Sequence, residues 1–154
     1  MEDEDIRKVV EDAIAALQGE EPPLDFHIVH ERSTAHRLAM HLEPHFPGWN
    51  IDCEYDRYGD VKKLLEGVRV CDEQRKTDRI FPDVIVHHRT QHGIGHNLLV
   101  IEMKKDAERD RCDFAKLQGM TDLQGAFCYQ LGLYINFNQG HFDRTWFKAG
   151  EIIE

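Results

Sequence analysis

Three charged side chains stand in apolar segments of this sequence, where charge is unexpected. Asp83 lies near the start of the segment 81–88, and Glu102 and Lys104 lie at the end of the segment 97–104. Side chains alternate along a strand, so Glu102 and Lys104 share one face. If the two segments pair as a hairpin, the start of one strand meets the end of the other, and Asp83 lies beside both. Buried charges are costly unless they are paired or bind a metal.

Two carboxylates and a lysine at one sheet edge indicate metal-assisted phosphodiester hydrolysis. The oxygens of Asp83 and Glu102 are the ligands that Mg²⁺ or Mn²⁺ prefers. Such an ion polarises a phosphate and lowers the pKa of a bound water. Lys104 would position or activate the attacking water. Alternatively, Asp83 is a turn residue, and Glu102 and Lys104 are a solvated edge pair.

The rest of the sequence predicts the elements that must position these residues. Apolar spacing predicts a helix over 4–18, and a second helical stretch runs over 26–46. Alternating residues predict strands over 51–55 and 127–137, and two apolar segments predict strands over 81–88 and 97–104. A helix is predicted over 107–122, before the last of these strands, and an edge strand around Trp146 and Phe147. Residues 57–79 show no clear pattern. This order predicts an α/β fold: a central mixed β-sheet, made of a meander plus a crossover strand, flanked by helices.

The same residues resemble the PD-(D/E)XK nuclease superfamily. Pro82-Asp83 is followed by eighteen residues and then by Glu102-Met103-Lys104, and the family core has the order helix, three-stranded meander, helix, strand. The resemblance implies a restriction-endonuclease-like core over residues 26–137. Within the family, the chain is similar to small, stand-alone bacterial members, which share the stretch 113–117.

The resemblance also implies further residues around the metal. The family often carries an acid on its first core helix, a place that Glu31 fits, acting through water. The backbone carbonyl of Met103 is a further implied ligand. On the helix predicted before the last strand, Lys116 and Gln118 are candidate contacts to substrate, and simple solvated positions are an equal alternative.

Ten histidines raise the question of zinc. The pairs His41/His45 and His92/His96 have chelating spacing, but surface histidines are the favoured interpretation because the sequence supplies no further ligands. His87 shares a strand face with Asp83 and is interpreted as a sheet-face histidine rather than a base. Gln130 and Tyr134 resemble the QxxxY element of RecB-type nucleases, but they fall within a predicted strand rather than a helix and receive no role.

Composition and charge narrow the function classes. The chain has 154 residues, with 19 basic and 29 acidic residues, so its net charge is −10. Residues 1–25 hold nine acids and two bases (−7), which leaves twenty acids and seventeen bases (−3) for the rest. This balance argues against a broad non-specific nucleic-acid surface, though not against a local site. The four scattered cysteines predict neither a disulfide framework nor a cysteine zinc site.

These features predict one domain over 1–154, in which the acidic helix and linker of 1–25 lie outside the nuclease-like core. No apolar run is long enough for a membrane span and the acidic start does not resemble a leader, so a cytoplasmic protein is expected. The leading function is a nuclease of DNA, with RNA also possible as substrate. The alternatives are a catalytically inactive binding or scaffold module, and a nuclease that works as a homodimer or in a larger complex docked through the acidic helix.

Overall fold

The computed structural model describes residues 1–26, 28–54, 82–106 and 110–154. In it, a mixed β-sheet is flanked by helices. The helices are α1 (Asp3–Gln18), α2 (Glu31–Leu42) and α3 (Arg111–Thr121), and a 3-10 turn, Glu43–His45, follows α2. The strands are β1 (Asn50–Cys53), β2 (Val84–His87), β3 (Asn97–Lys105), β4 (Leu131–Asn138), β5 (His141–Lys148) and β6 (Glu151–Ile152).

The strands lie in the sheet in chain order, from β1 to β6. β1, β2 and β3 form an antiparallel meander, whereas β4 pairs parallel to β3 after the crossover through α3. β5 and β6 continue antiparallel. The predicted α/β class, the meander and the crossover strand are therefore confirmed. β5 covers the predicted strand around Trp146, but β6 rather than β5 forms the edge.

Both faces of the sheet are buried. On one face, Leu99, Ile101 and Met103 pack in a core that α1 and α2 cover. On the other face, Val100 packs in a second cluster with Leu117 and other apolar residues of α3. A central strand covered on both sides reads as a continuous apolar run, which explains why the pattern of β3 is so clear.

The N-terminal helix belongs to the hydrophobic core of this chain, while its predicted place outside the nuclease-like core of 26–137 stays a prediction. Its buried face is fully apolar: Ile6, Val10, Ala13, Ile14 and Leu17. Side chains on the polar face of this helix also form ion pairs with other elements of the same domain. Asp3 contacts Lys148, and Arg144 donates to Glu11 at 2.8 Å. Much of the acidic charge of this helix is therefore used within the chain rather than displayed to a partner.

Two predicted boundaries are wrong for local reasons. The second helix begins at Glu31 rather than at residue 26, because the chain before it makes only a single turn on the Asp25 carbonyl and leaves Ile28 74% exposed. The last predicted strand begins at Leu131 rather than at residue 127. Tyr129 is buried, but its N–H donates to the carbonyl of Met120 at the end of α3, not to a neighbouring strand.

Parts of other predictions lie outside the described residues. These are the end of the strand predicted over 51–55, the start of the one over 81–88, the start of the helix over 107–122, and the segment 57–79. Among the described residues, Cys53 and Cys128 are free thiols. The helices of the described part are too short or too polar to cross a lipid bilayer.

Gly132 sets the distance between α3 and the sheet. It pairs with Val100 in the centre of the sheet, directly beneath the helix. A Cβ atom at this position would lie 3.0 Å from Thr121 Cγ2 and 3.2 Å from Phe147 Cβ. The absence of a side chain therefore lets α3 approach the end of β3, where the candidate site lies.

Candidate active site

The register of the meander brings the three predicted residues together. Val84 pairs with Ile101, so the next position outward places Asp83 opposite Glu102. Residues directly opposite in an antiparallel pair share a face, and Lys104 shares it by alternation. Asp83 Oδ2 accepts a hydrogen bond of 2.7 Å from the backbone N–H of Met103. The predicted convergence of two carboxylates and a lysine is thus confirmed, although their roles remain predictions.

A lysine from α3 inserts into this cluster. Lys116 Nζ donates to Glu102 Oε1 at 2.8 Å and to Asp113 Oδ1 at 3.3 Å. The Lys116 side chain is only 14% exposed. The solvated alternative for Lys116 is therefore wrong, because its ammonium is held between two carboxylates, whereas the predicted contact to substrate stays a prediction. Met120 and Leu117 on the same helix are buried, which fixes this face of α3 against the sheet.

Lys104 occupies the more open side of the cluster. Its ammonium lies 3.6 Å from Asp113 Oδ2 and 3.8 Å from Asp110 Oδ2, and its side chain is 33% exposed. Asp110 also begins α3: its carboxylate accepts from the N–H groups of Cys112 and Asp113 at 2.9 and 3.1 Å. This N-cap holds the first turn of the helix next to Lys104. Neither contact is short enough for a hydrogen bond, and the Lys104 side chain stays accessible to solvent.

Burial and charge shift the pKa values of the cluster. Burial, reinforced by the nearby Asp83 and Asp113 carboxylates, raises the pKa of Glu102 to about 8 against the opposing effect of Lys116. Burial likewise raises the pKa of Asp83, although the Met103 N–H opposes this shift. The neutral carboxylic acid is thus favoured more than it would be in water.

The two lysines show the complementary effect. Burial opposes the charge of Lys104, but the carboxylates of Asp113, Glu31 and Asp110 outweigh it and raise the pKa of the ammonium. The pKa of Lys116 is raised in the same way, with Glu102 and Asp113 outweighing a strong burial effect. Both lysines are therefore cationic at neutral pH. This charge favours an electrostatic role for Lys104 over that of a general base.

Glu31 approaches the end of β3 from α2. It is the first residue of that helix, and its Oε1 accepts a hydrogen bond of 3.1 Å from the backbone N–H of Lys105. Lys105 in turn donates from Nζ to the carbonyl of Val29 at 3.2 Å. The predicted site residue is therefore at the correct end of the strand and acts on the charge of Lys104, but its carboxylate is bound to the backbone.

Gln118 is not brought into the cluster. It lies two residues after Lys116, which places it on the opposite side of α3. Its carbonyl would lie 3.7 Å from a Cβ atom at Gly150, near the other end of the sheet. Gln130 is also remote, because its side chain donates to Asp3 Oδ1 at 2.8 Å. Tyr134, in contrast, pairs with Glu102 across β3 and β4, and burial near Asp113 raises its pKa to about 12.

The residues missed by sequence reasoning are Asp110, Asp113 and Tyr134. Asp113 and Lys116 are three residues apart on a predicted helix, a spacing that places them on one face. That spacing was the available signal for a buried ion pair. The contact of Asp110 with Lys104 depends on the packing of α3 over the sheet, for which the sequence carries no short-range signal, whereas Tyr134 lies opposite Glu102 through the register of β3 and β4.

The donor atoms of the cluster are of the type that a hard cation requires. Asp83, Glu102 and Asp113 supply carboxylate oxygens, and the buried Oδ2 of Asp113 makes no hydrogen bond. In the described part of the chain, however, no three His, Cys, Asp or Glu side chains are already arranged to hold a metal ion. The ammonium of Lys116 lies at the place between Glu102 and Asp113 where a metal ion would balance their charge. The oxygen set fits Mg²⁺ or Mn²⁺ chemically, with Lys116 supplying positive charge in this structure.

The described histidines that the sequence singles out lie away from the carboxylate cluster. His87 is fully buried on the Asp83 side of the sheet, as predicted, and its Nε2 contacts Asp52 Oδ2 at 2.8 Å. His41 contacts Glu20 rather than His45, with Nε2 and Oε1 2.7 Å apart. In the β2–β3 loop, His96 contacts His88 rather than His92, and their Nδ1 atoms lie 3.1 Å apart.

Comparisons with known proteins add no family assignment. No protein-family model matches the chain, and neither a curated protein nor a solved structure matches it. The chemistry of the site must therefore be inferred from the residues themselves.

Proposed function

We propose that the protein is a metal-dependent nuclease that hydrolyses phosphodiester bonds of DNA, with RNA as a further possible substrate. The observation that carries the proposal is the placement of Asp83, Glu102 and Lys104 on one face at the end of β3. Glu102 is 3% exposed within an otherwise apolar strand. A carboxylate in such a place is expensive unless a cation compensates it.

Mg²⁺ or Mn²⁺ is the proposed cofactor. Asp83 and Glu102 would hold the ion, together with the Met103 carbonyl, and Glu31 would contribute through water. When bound, such an ion supplies Lewis-acid activation of the phosphate and a more acidic water. The raised pKa of Glu102 means that this carboxyl gains most from a cation, because both burial and its carboxylate neighbours disfavour its charge.

The two lysines have different proposed roles. Lys104 is cationic and partly exposed, so it would orient the attacking water or stabilise negative charge that develops on the phosphate. Lys116 is a positioning residue: it holds the Glu102 and Asp113 carboxylates at fixed places. The donor-rich Lys104 side of the cluster is therefore the side from which a phosphate would approach.

The order of elements supports membership of the PD-(D/E)XK superfamily. The order α2, the meander β1–β2–β3, α3 and then β4 is the order of that family's core. We infer a restriction-endonuclease-like core on this basis. The same inference makes nucleic acid the partner and the cytoplasm the expected location, with a homodimer or larger complex as an open possibility.

One observation favours a second function, a catalytically inactive binding or scaffold module. Lys116 already lies against Glu102 and Asp113, so the negative charge of these buried carboxylates is compensated without a metal. A site that has lost its ion could retain its charges in this way. The two functions make opposite predictions for metal binding and for cleavage.

The deciding experiment is a cleavage assay of the full chain. Linear and circular duplex DNA, single-stranded DNA, branched DNA and RNA are each incubated with Mg²⁺, Mn²⁺ or EDTA. Lys104→Ala is run in parallel, with Lys8→Ala as the matched control because Lys8 is an exposed lysine on α1. Cleavage that needs the metal, survives Lys8→Ala and falls about 10²–10³-fold in Lys104→Ala would support the nuclease.

Two results would contradict the nuclease proposal. One is the absence of cleavage on every substrate together with the absence of Mg²⁺ or Mn²⁺ binding by calorimetry. The other is cleavage that Lys104→Ala and Asp83→Asn leave unchanged, since this would place the activity outside the cluster. The first result would favour the binding module.

A further inference from the structure

Two histidines flank the loop between β2 and β3. His88 follows the last residue of β2, and His96 precedes the first residue of β3. The N–H of His88 donates to the carbonyl of His96 at 2.8 Å, so the backbone closes the loop at its base. Both residues are therefore anchored by paired strands rather than displayed on a free loop, which is the condition for a precise ligand geometry.

The two imidazoles present the same nitrogen to each other. His88 Nδ1 and His96 Nδ1 lie 3.1 Å apart, and the ring planes are inclined at 59°. Two nitrogens each ~2.0–2.1 Å from one ion lie roughly 2.9 Å apart at a right angle and roughly 3.4 Å apart at a tetrahedral angle. The observed separation falls between these limits. The two nitrogens are hydrogen-bonded to each other, so an ion would replace this hydrogen bond, and the pair is spaced to chelate it without a change of backbone.

Trp49 holds one of the two rings in place. Its indole stacks on the imidazole of His88, with centroids 4.1 Å apart and planes within 7°. Trp49 itself packs on the main hydrophobic core. His88 therefore has little rotational freedom, and the side-chain entropy that it loses when it binds an ion is small. Both histidines remain partly exposed, which leaves a path for an ion and for water.

We propose that His88 and His96 form a two-imidazole site for a first-row transition-metal dication such as Zn²⁺, Ni²⁺ or Cu²⁺. Imidazole nitrogen prefers these ions, whereas carboxylate oxygen prefers Mg²⁺ and Mn²⁺. Water completes the coordination sphere. The site is separate from the carboxylate cluster, because it lies at the opposite end of β3. It does not depend on the proposed nuclease activity.

The test is a titration of the full chain with Ni²⁺, followed by calorimetry. The wild type should bind one ion saturably, and His88→Asn and His96→Asn should each weaken that binding at least tenfold. His92→Asn is the matched control, because His92 lies exposed in the same loop; it should change the affinity less than twofold. Cu²⁺ should bind more tightly than Ni²⁺ or Zn²⁺, and excess Mg²⁺ should not compete.

Trp49 provides a second readout that needs no histidine variant. Cu²⁺ quenches a nearby indole, so it should quench the wild-type tryptophan fluorescence saturably, and Zn²⁺ should reverse the effect. Trp49→Phe should remove the quenching but keep the heat of Ni²⁺ binding. The remaining tryptophan, Trp146, is buried beneath the guanidinium of Arg7 and serves as the internal reference.

Three results would overturn the site. They are the absence of saturable Ni²⁺ binding to the wild type, an equal loss of affinity in His92→Asn and His96→Asn, and Cu²⁺ quenching that persists in Trp49→Phe. Circular dichroism of each variant establishes that it is folded before its affinity is compared.

Discussion

The two faces of β3 meet the same burial with different chemistry. On the face covered by α1 and α2, Leu99, Ile101 and Met103 form an uninterrupted apolar row. On the face covered by α3, Val100 is followed by Glu102 and Lys104, and α3 adds a lysine and an aspartate of its own. The first face needs only shape and volume, whereas the second also needs its charges to be balanced.

This difference shows where each face is vulnerable. An apolar face loses stability in proportion to the volume removed, and pH does not affect that loss. A charged face loses stability when one partner is removed, because the remaining charge stays buried without compensation. The two faces can therefore be distinguished by how their variants respond to pH.

The largest effect is expected for Lys116→Met. It removes the cation from two buried carboxylates, so we expect a loss of about 3–5 kcal/mol in the free energy of unfolding at pH 8. At pH 5 the loss should be smaller, because the raised pKa of Glu102 keeps this carboxyl neutral there. Urea unfolding of the variant and the wild type at both pH values measures this loss in the free energy of unfolding. Lys8→Met, in an exposed pair with Asp12, is the control and should cost under about 1 kcal/mol. Equal losses in the two variants would contradict a buried ion pair.

The next effect is expected for Ile101→Ala on the apolar face. Ile101 is fully buried, so its truncation should cost about 2–5 kcal/mol through lost burial and the cavity that remains. Unlike Lys116→Met, this variant should lose the same free energy at pH 5 and pH 8. A loss that depended strongly on pH would mean that the two faces are coupled through the strand.

The third prediction concerns the pH dependence of stability itself. The pKa of Glu102 is raised from 4.5 to about 8 in the folded chain, so its favourable contribution is complete below pH 4.5 and is lost as the pH rises to about 8. The wild type should therefore lose on the order of 1 kcal/mol per pH unit relative to Glu102→Gln across this range. The difference between the two unfolding curves cancels the histidines that both proteins share. A flat difference would show that Glu102 titrates as it does in water.

The smallest effect is expected at the start of α3. Asp110→Ala removes the N-cap and should cost about 1 kcal/mol. Asp110→Asn keeps a capping oxygen but removes the charge near Lys104, so it should restore most of the stability. Thermal unfolding of the two variants separates the cap from the charge. If both lose the same amount, the interaction with Lys104 matters more than the cap.

The charged face was only partly predictable from the sequence. The convergence of Asp83, Glu102 and Lys104 followed from two local rules, the alternation of strand side chains and the antiparallel hairpin. The contact of Lys116 with Glu102 did not follow, because it depends on how α3 rotates over the sheet. The charge of the helix surface alone made a solvated lysine the reasonable expectation.

The fold was predictable where local pattern and tertiary packing agree. The continuous apolar run of β3 and the helical spacing of α1 both predicted the correct elements. Phe127 and Tyr129 continue the alternation of β4 and are buried, yet they lie outside the strand. Cys128 between them has a positive φ of 51°, which turns the chain. Burial at alternate positions therefore does not by itself establish a strand.

Gly132 links the architecture of the sheet to the evolution of the site. A methyl group at this position would meet Thr121 and Phe147 and push α3 away from β3. Lys116 and Asp113 travel with that helix, so the methyl group would separate them from Glu102. In evolution, the exposed positions of α3 can vary independently. A substitution at position 132, in contrast, would have to be accompanied by a change in the charged residues at the far end of the helix.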